Sequence, residues 1–133
     1  MGRVCFAGYQ DYQDEMLAKL EKAMHAIFVR FDTDQDGLLS KAECLRLARA
    51  TGGIPDSATD EQVNKQMDQM LELFGTTAGI NVEGLNASYA ALGKMQHPED
   101  ELEAMAAMIR TVFRDIKVLG ITEEEADRGF KRK

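Results

Sequence analysis

Four acidic side chains stand at fixed offsets around one glycine in the stretch Asp32-Thr33-Asp34-Gln35-Asp36-Gly37-Leu38-Leu39-Ser40-Lys41-Ala42-Glu43. Residue types at that spacing suit the chelation of a divalent cation, and calcium above all. Calcium takes six to eight oxygen ligands at about 2.3–2.6 Å in a flexible shell. Asp32, Asp34 and Asp36 offer carboxylates at the first, third and fifth positions of the loop. Gly37 allows a sharp turn with positive φ, which a Cβ resists. Leu38 offers its backbone carbonyl, and Ser40 stands where a ligand often acts through a water. Glu43 closes the set with both carboxylate oxygens, a bite that favours calcium over the tight octahedron magnesium demands. The plainer reading is an acidic solvated turn, with Ser40 and Glu43 as a helix capping box. That reading leaves four acids at these offsets around Gly37 unexplained. It also leaves unexplained the approach Phe28-x-x-Phe31-Asp32 from an amphipathic segment.

Helices must position this loop. Residues 14–31 carry Met16, Leu17, Leu20, Met24, Ile27, Phe28 and Phe31 at steps of three and four, the mark of one apolar helical face. The spacing predicts a second helix over about 41–50, ended by Thr51-Gly52-Gly53. Thr59 and Gln62 form a capping box for a third helix toward Phe74. Asn81 caps a fourth, to about Leu92. Pro98 suits the first turn of a fifth, through Met105, Met108 and Ile109 to Phe113. Thr122 and Glu125 form a further capping box before a short last helix. Leu39, Ile80 and Ile121 recur 41 residues apart, each followed by a helix-capping residue (Ser40, Asn81, Thr122). Ile27 and Phe31 recur as Ile109 and Phe113. A period near 41 also suits stacked helical repeats, but the first loop points elsewhere.

Residues 27–51 resemble the EF-hand superfamily, in the broad style of calmodulin, troponin C and myosin light chains. The resemblance implies an all-α fold of helix-loop-helix repeats, with short β bridges between paired loops. It pairs Leu39 with Ile80 and makes Phe28, Phe31, Cys44 and Leu47 core residues. The implied organisation is an N-terminal extension at 1–13, a paired lobe at 14–95 and a third repeat at 96–133. The two later repeats depart from the metal pattern. The second loop, Gly75 to Gly79, is two residues short and holds no carboxylate, and its closing position is Gly84. The third, Arg114 to Glu125, is full length but has Arg114, Ile116 and Val118 at ligand positions and Leu119 in place of glycine. Asp115 falls between ligand positions. One calcium ion is therefore expected. The third repeat lacks a partner within the chain; homodimerisation, packing on the first lobe, completion on a target, or truncation of a four-repeat protein all remain open.

Composition narrows the function. The formal net charge of −7 repels phosphate backbones, which argues against nucleic acid and toward cations and basic peptides. Cys5 and Cys44 are too few for a disulfide scaffold, so a reducing cytoplasmic setting is expected. No stretch approaches the ~20 apolar residues of a membrane span, and no signal peptide is read. Met1-Gly2 raises N-myristoylation, but Phe6 stands where Ser or Thr is usual. His25 and His97 accompany no nucleophile or metal spacing, and no phosphate loop or dinucleotide fingerprint occurs, so an enzyme is not expected. Eight methionines suit a groove that accepts varied helices, though most should be core. The expectation is a calcium-responsive regulator that binds a basic amphipathic helix of a target protein. The alternative is a constitutive, light-chain-like subunit clamping such a helix with little calcium dependence; a calcium buffer ranks below both.

Overall fold

The computed structural model describes the backbone of residues 2–131 and the side chains of residues 14–127. Six helices follow in order: α1 Gly2–Phe31, α2 Lys41–Ala50, α3 Asp60–Phe74, α4 Val82–Gln96, α5 Glu101–Val118 and α6 Glu123–Lys131. The expected helix at 14–31 is thus the second half of a longer α1. The side chains of residues 1–13 lie outside the described set, and so does any reading of acylation near Gly2.

Local chemistry starts the helices where the sequence places them. Ser40 and Thr59 open α2 and α3 through complete capping boxes with Glu43 and Gln62. Asn81 opens α4, accepting from the Gly84 amide at 2.8 Å. The start of α5 differs from expectation. Asp100, not Pro98, caps it by accepting from the Glu103 amide at 3.1 Å, while Pro98 stays in the turn that closes with Asp100 N–H on the His97 carbonyl.

The expected third loop, residues 114–125, is not a loop. Helix α5 continues through Val118 and leaves only Leu119–Thr122 before α6. Tertiary packing holds the added turn. Asp115 is 2% exposed and accepts the Tyr89 hydroxyl at 2.6 Å, and Ile116 packs against the core. The helix stops in a Schellman arrangement, in which Ile121 N–H donates to the Ile116 carbonyl and Gly120 N–H to that of Lys117. Ile121, expected to repeat the roles of Leu39 and Ile80, thus serves as the apolar partner of a helix end.

The short strand-like link falls between the first two loops. Leu39 and Ile80 form an isolated antiparallel bridge, with Leu39 N–H donating to Ile80 O at 2.7 Å and Ile80 N–H to Leu39 O at 3.0 Å. Both side chains are fully buried. A second isolated bridge, Thr76 to Gly79, makes the 75–80 turn tight, and the described residues hold no longer strand.

One core joins all six helices. Ile27, Leu39, Met67, Ile80, Leu85 and Val112 are fully buried at its centre. Phe28, Cys44 and Leu47 are buried as expected, while Phe31 is half-buried. Burial pushes the Cys44 thiol up to about 11, so it behaves as a small apolar residue. Of the methionines, Met24, Met67 and Met108 are core, whereas Met95 and Met105 are exposed. Helix α5 packs against α4 and α1, and α6 packs against α1. Gly93 on α4 makes the α5 crossing close: a Cβ there would collide with the Ala104 carbonyl. Arg30 and Lys22 of α1 pair with Glu125 and Asp127 of α6, and Arg30 also donates to the Leu119 carbonyl. No helix among the described residues is long and apolar enough to cross a membrane.

Candidate metal centre

The loop between α1 and α2 gathers Asp32, Asp34, Asp36 and Glu43, each with a carboxylate oxygen within 4.8 Å of the others. It is the one such acidic group among the described residues. Asp32 continues α1, its N–H donating to Phe28 O at 2.9 Å. The loop then folds back on its own carboxylates. Gly37 N–H donates to Asp32 Oδ2 at 3.0 Å, Asp36 N–H to Asp34 Oδ1 at 3.4 Å, and Leu38 N–H to Asp36 Oδ1 at 3.0 Å. Gly37 has a φ of +82°, the left-handed turn that lets three acids point inward.

Glu43 reaches in from the first turn of α2 and is 3% exposed. Its Oε1 accepts Ser40 N–H at 2.9 Å; its Oε2 accepts the Thr33 N–H at 2.8 Å and the Thr33 hydroxyl at 2.9 Å. Burial alone raises the Glu43 carboxyl, but the Ser40 and Thr33 donors outweigh it and hold it below the usual range. Thr33 and Arg46 are residues that loop spacing did not reveal. The Thr33 hydroxyl accepts from Arg46 at 3.4 Å, ten residues of chain separate Thr33 from Glu43, and only the fold back of the loop joins them.

Asp32 is the informative member. It is 8% exposed, and its Oδ1 is fully buried without any hydrogen-bond partner. A buried carboxylate oxygen left so costs free energy unless a proton or a cation offsets its charge. Burial, with Asp34 and Asp36 beside it, pushes the Asp32 carboxyl up to about 6 despite the Gly37 amide. Asp36, hydrogen-bonded by Leu38 N–H, is instead held below the usual range. An acidic, oxygen-only group with one orphaned buried oxygen fits a hard divalent cation.

A raised Asp32 pKa favours the folded, metal-free protein at low pH, and that contribution is lost as pH rises through about 6. Protons and a cation compete for the same oxygens. Divalent-cation affinity should therefore weaken as pH falls from 7.5 through 6, by more than for a loop of ordinary surface carboxylates. Calorimetric titration at several pH values checks this.

In the second and third repeats, where no ligand was expected, the matching positions hold other roles. Gly84 is buried at the start of α4. Arg114 pairs with Asp115 at 2.9 Å, and Asp115 also accepts from Tyr89. Burial beside Asp115 raises the Tyr89 hydroxyl strongly, keeping it a neutral donor. No protein-family model, no curated protein and no solved structure matches this chain.

Proposed function

We propose that residues 32–43 form a calcium site of the EF-hand kind, and that the chain is a calcium-responsive regulator acting on another protein. The observation that carries the calcium reading is the orphaned, buried Asp32 Oδ1 within a group of four carboxylates. Asp32, Asp34, Asp36 and Glu43 would be the charged ligands, with the Leu38 carbonyl and a water held by Ser40 completing the shell. A bound calcium ion supplies the positive charge that this acidic group lacks. The chain's own residues do the rest. Asp32 directly follows α1 and Glu43 lies in the first turn of α2, so an ion that shifts these already neighbouring carboxylates changes how the two helices meet. The Leu39–Ile80 bridge connects that change to α3 and α4.

The proposed partner is a basic amphipathic helix, favoured by the acidic net charge of −7. A groove of about 460 Å³ between α2, α3, α4 and α5, with Leu73, Leu92 and Met95 exposed along it, is the surface offered for it. The role is binding rather than catalysis, in the cytoplasm. A second reading, a constitutive subunit holding its helix without calcium, is favoured by one observation. Helix α5 is fastened across α4 by the buried Tyr89–Asp115 bond, an arrangement that needs no cation.

A calcium titration followed by amide NMR tests both. The expected result is binding in the sensor range of about 10⁻⁷–10⁻⁵ M, with shifts spreading from Gly37 across residues 59–92. Shifts confined to about residues 28–50 would favour the constitutive subunit, and the absence of any shift would overturn the calcium site.

A further inference from the structure

Glu43 already sits closed over the loop, and the lone pairs its donors leave open govern which ion it takes. A carboxylate offers about four lone-pair sites, two on each oxygen. Oε1 accepts only Ser40 N–H and keeps one site open. Oε2 accepts two donors, the Thr33 N–H and the Thr33 hydroxyl, and has none left. Glu43 as it stands therefore presents one oxygen to a cation. A two-oxygen bite needs one further site on Oε2. The backbone N–H can stay, since one donor and one cation together fill an oxygen. The Thr33 hydroxyl is the one competitor that must leave.

We infer that Thr33 is a specificity-determining residue of the proposed calcium site, its hydroxyl blocking the second oxygen of Glu43 and thereby narrowing the preference for calcium over magnesium. Calcium prefers a large shell in which glutamate binds through both oxygens, whereas magnesium takes a strict octahedron that one oxygen satisfies. The hydroxyl bond thus opposes calcium and leaves magnesium untouched. Arg46 strengthens the block. Its guanidinium donates to the Thr33 hydroxyl at 3.4 Å, which directs the hydroxyl proton toward Glu43, and it lies 4.0 Å from Oε2 itself. Thr33 is exposed, so its hydroxyl can turn to water when displaced.

This inference rests on the calcium reading, and the experiment separates the two. Calcium chloride and magnesium chloride are titrated separately, by calorimetry, into the full chain and into Thr33→Val, Thr33→Ser and Arg46→Gln variants. Valine keeps the shape and backbone N–H of threonine and removes only the hydroxyl. The expected result for Thr33→Val is calcium binding tightened about tenfold, the worth of one charge-assisted hydrogen bond, with magnesium binding unchanged. Thr33→Ser restores the hydroxyl and returns the ion preference to that of the natural chain. Arg46→Gln removes a positive charge near the site and strengthens both ions, calcium more than magnesium. An unchanged calcium-to-magnesium ratio in Thr33→Val, or an equal loss of both ions, would overturn the role of Thr33 while leaving the calcium site intact. Failure of the natural chain to bind either ion would overturn the calcium site, and this inference with it.

Discussion

Glu43→Gln should lower calcium affinity at least about a hundredfold and leave the six helices in place. Even outer partners of metal ligands commonly cost 10–100-fold when removed, and Glu43 is proposed as a direct ligand. Glutamine is the sharp substitution because it separates two jobs of one side chain. The Glu43 carboxylate completes the capping box of α2 through Ser40 N–H, and a glutamine oxygen can accept that bond as well. What glutamine lacks is the negative charge and the second acceptor oxygen. Circular dichroism should therefore remain that of the natural chain, with calcium titration showing the loss. Unchanged calcium affinity in Glu43→Gln would remove Glu43 from the ligand set. Loss of helicity would mean that the anion, rather than the geometry, sustains the α2 cap.

Gly93→Ala should destabilise the fold by about 2 kcal/mol, although alanine is the better helix former. In a free helix the exchange gains about 1 kcal/mol. Here the new methyl would meet the Ala104 carbonyl and come within 3.3 Å of the Met108 amide nitrogen, both backbone atoms of α5. Backbone cannot rotate away as a side chain can, so α5 must move off α4. The cost belongs at the upper end of overpacking penalties, about 3 kcal/mol, and outweighs the gain. Gly53→Ala is the control. Its methyl would meet Ala48 at an ordinary 3.5 Å, so its stability should stay within about 1 kcal/mol of the natural chain. Urea unfolding of both variants measures the difference. Equal stabilities would show that the α4–α5 crossing is loose enough to yield.

Much of what acts over a few residues was legible in the sequence, although the Asp100 cap of α5 and the Thr33–Glu43 bonds were not. The acids at 32, 34, 36 and 43, the turn at Gly37, and the caps at Ser40, Thr59 and Asn81 are local patterns, because their donors and acceptors are joined by short chain segments. The Leu39–Ile80 bridge was legible only through the resemblance to EF-hand proteins, which pairs the two loops; the repeat of 41 residues located its ends. Packing between distant segments set the remainder. Helix α5 runs on past Phe113 because Asp115 finds Tyr89 on another helix and Ile116 finds the core, and no neighbouring residue announces either contact. Glu125, which with Thr122 reads as a capping pair, turns its side chain to Arg30 instead, 95 residues away. Within the loop the residue types were readable, but burial was not. That Asp32 is enclosed and its Oδ1 left without a partner depends on how α1 and α2 close around the loop. A carboxylate in water keeps its charge at little cost, and enclosure is what makes the charge of this one costly, a cost that a proton or a cation can offset.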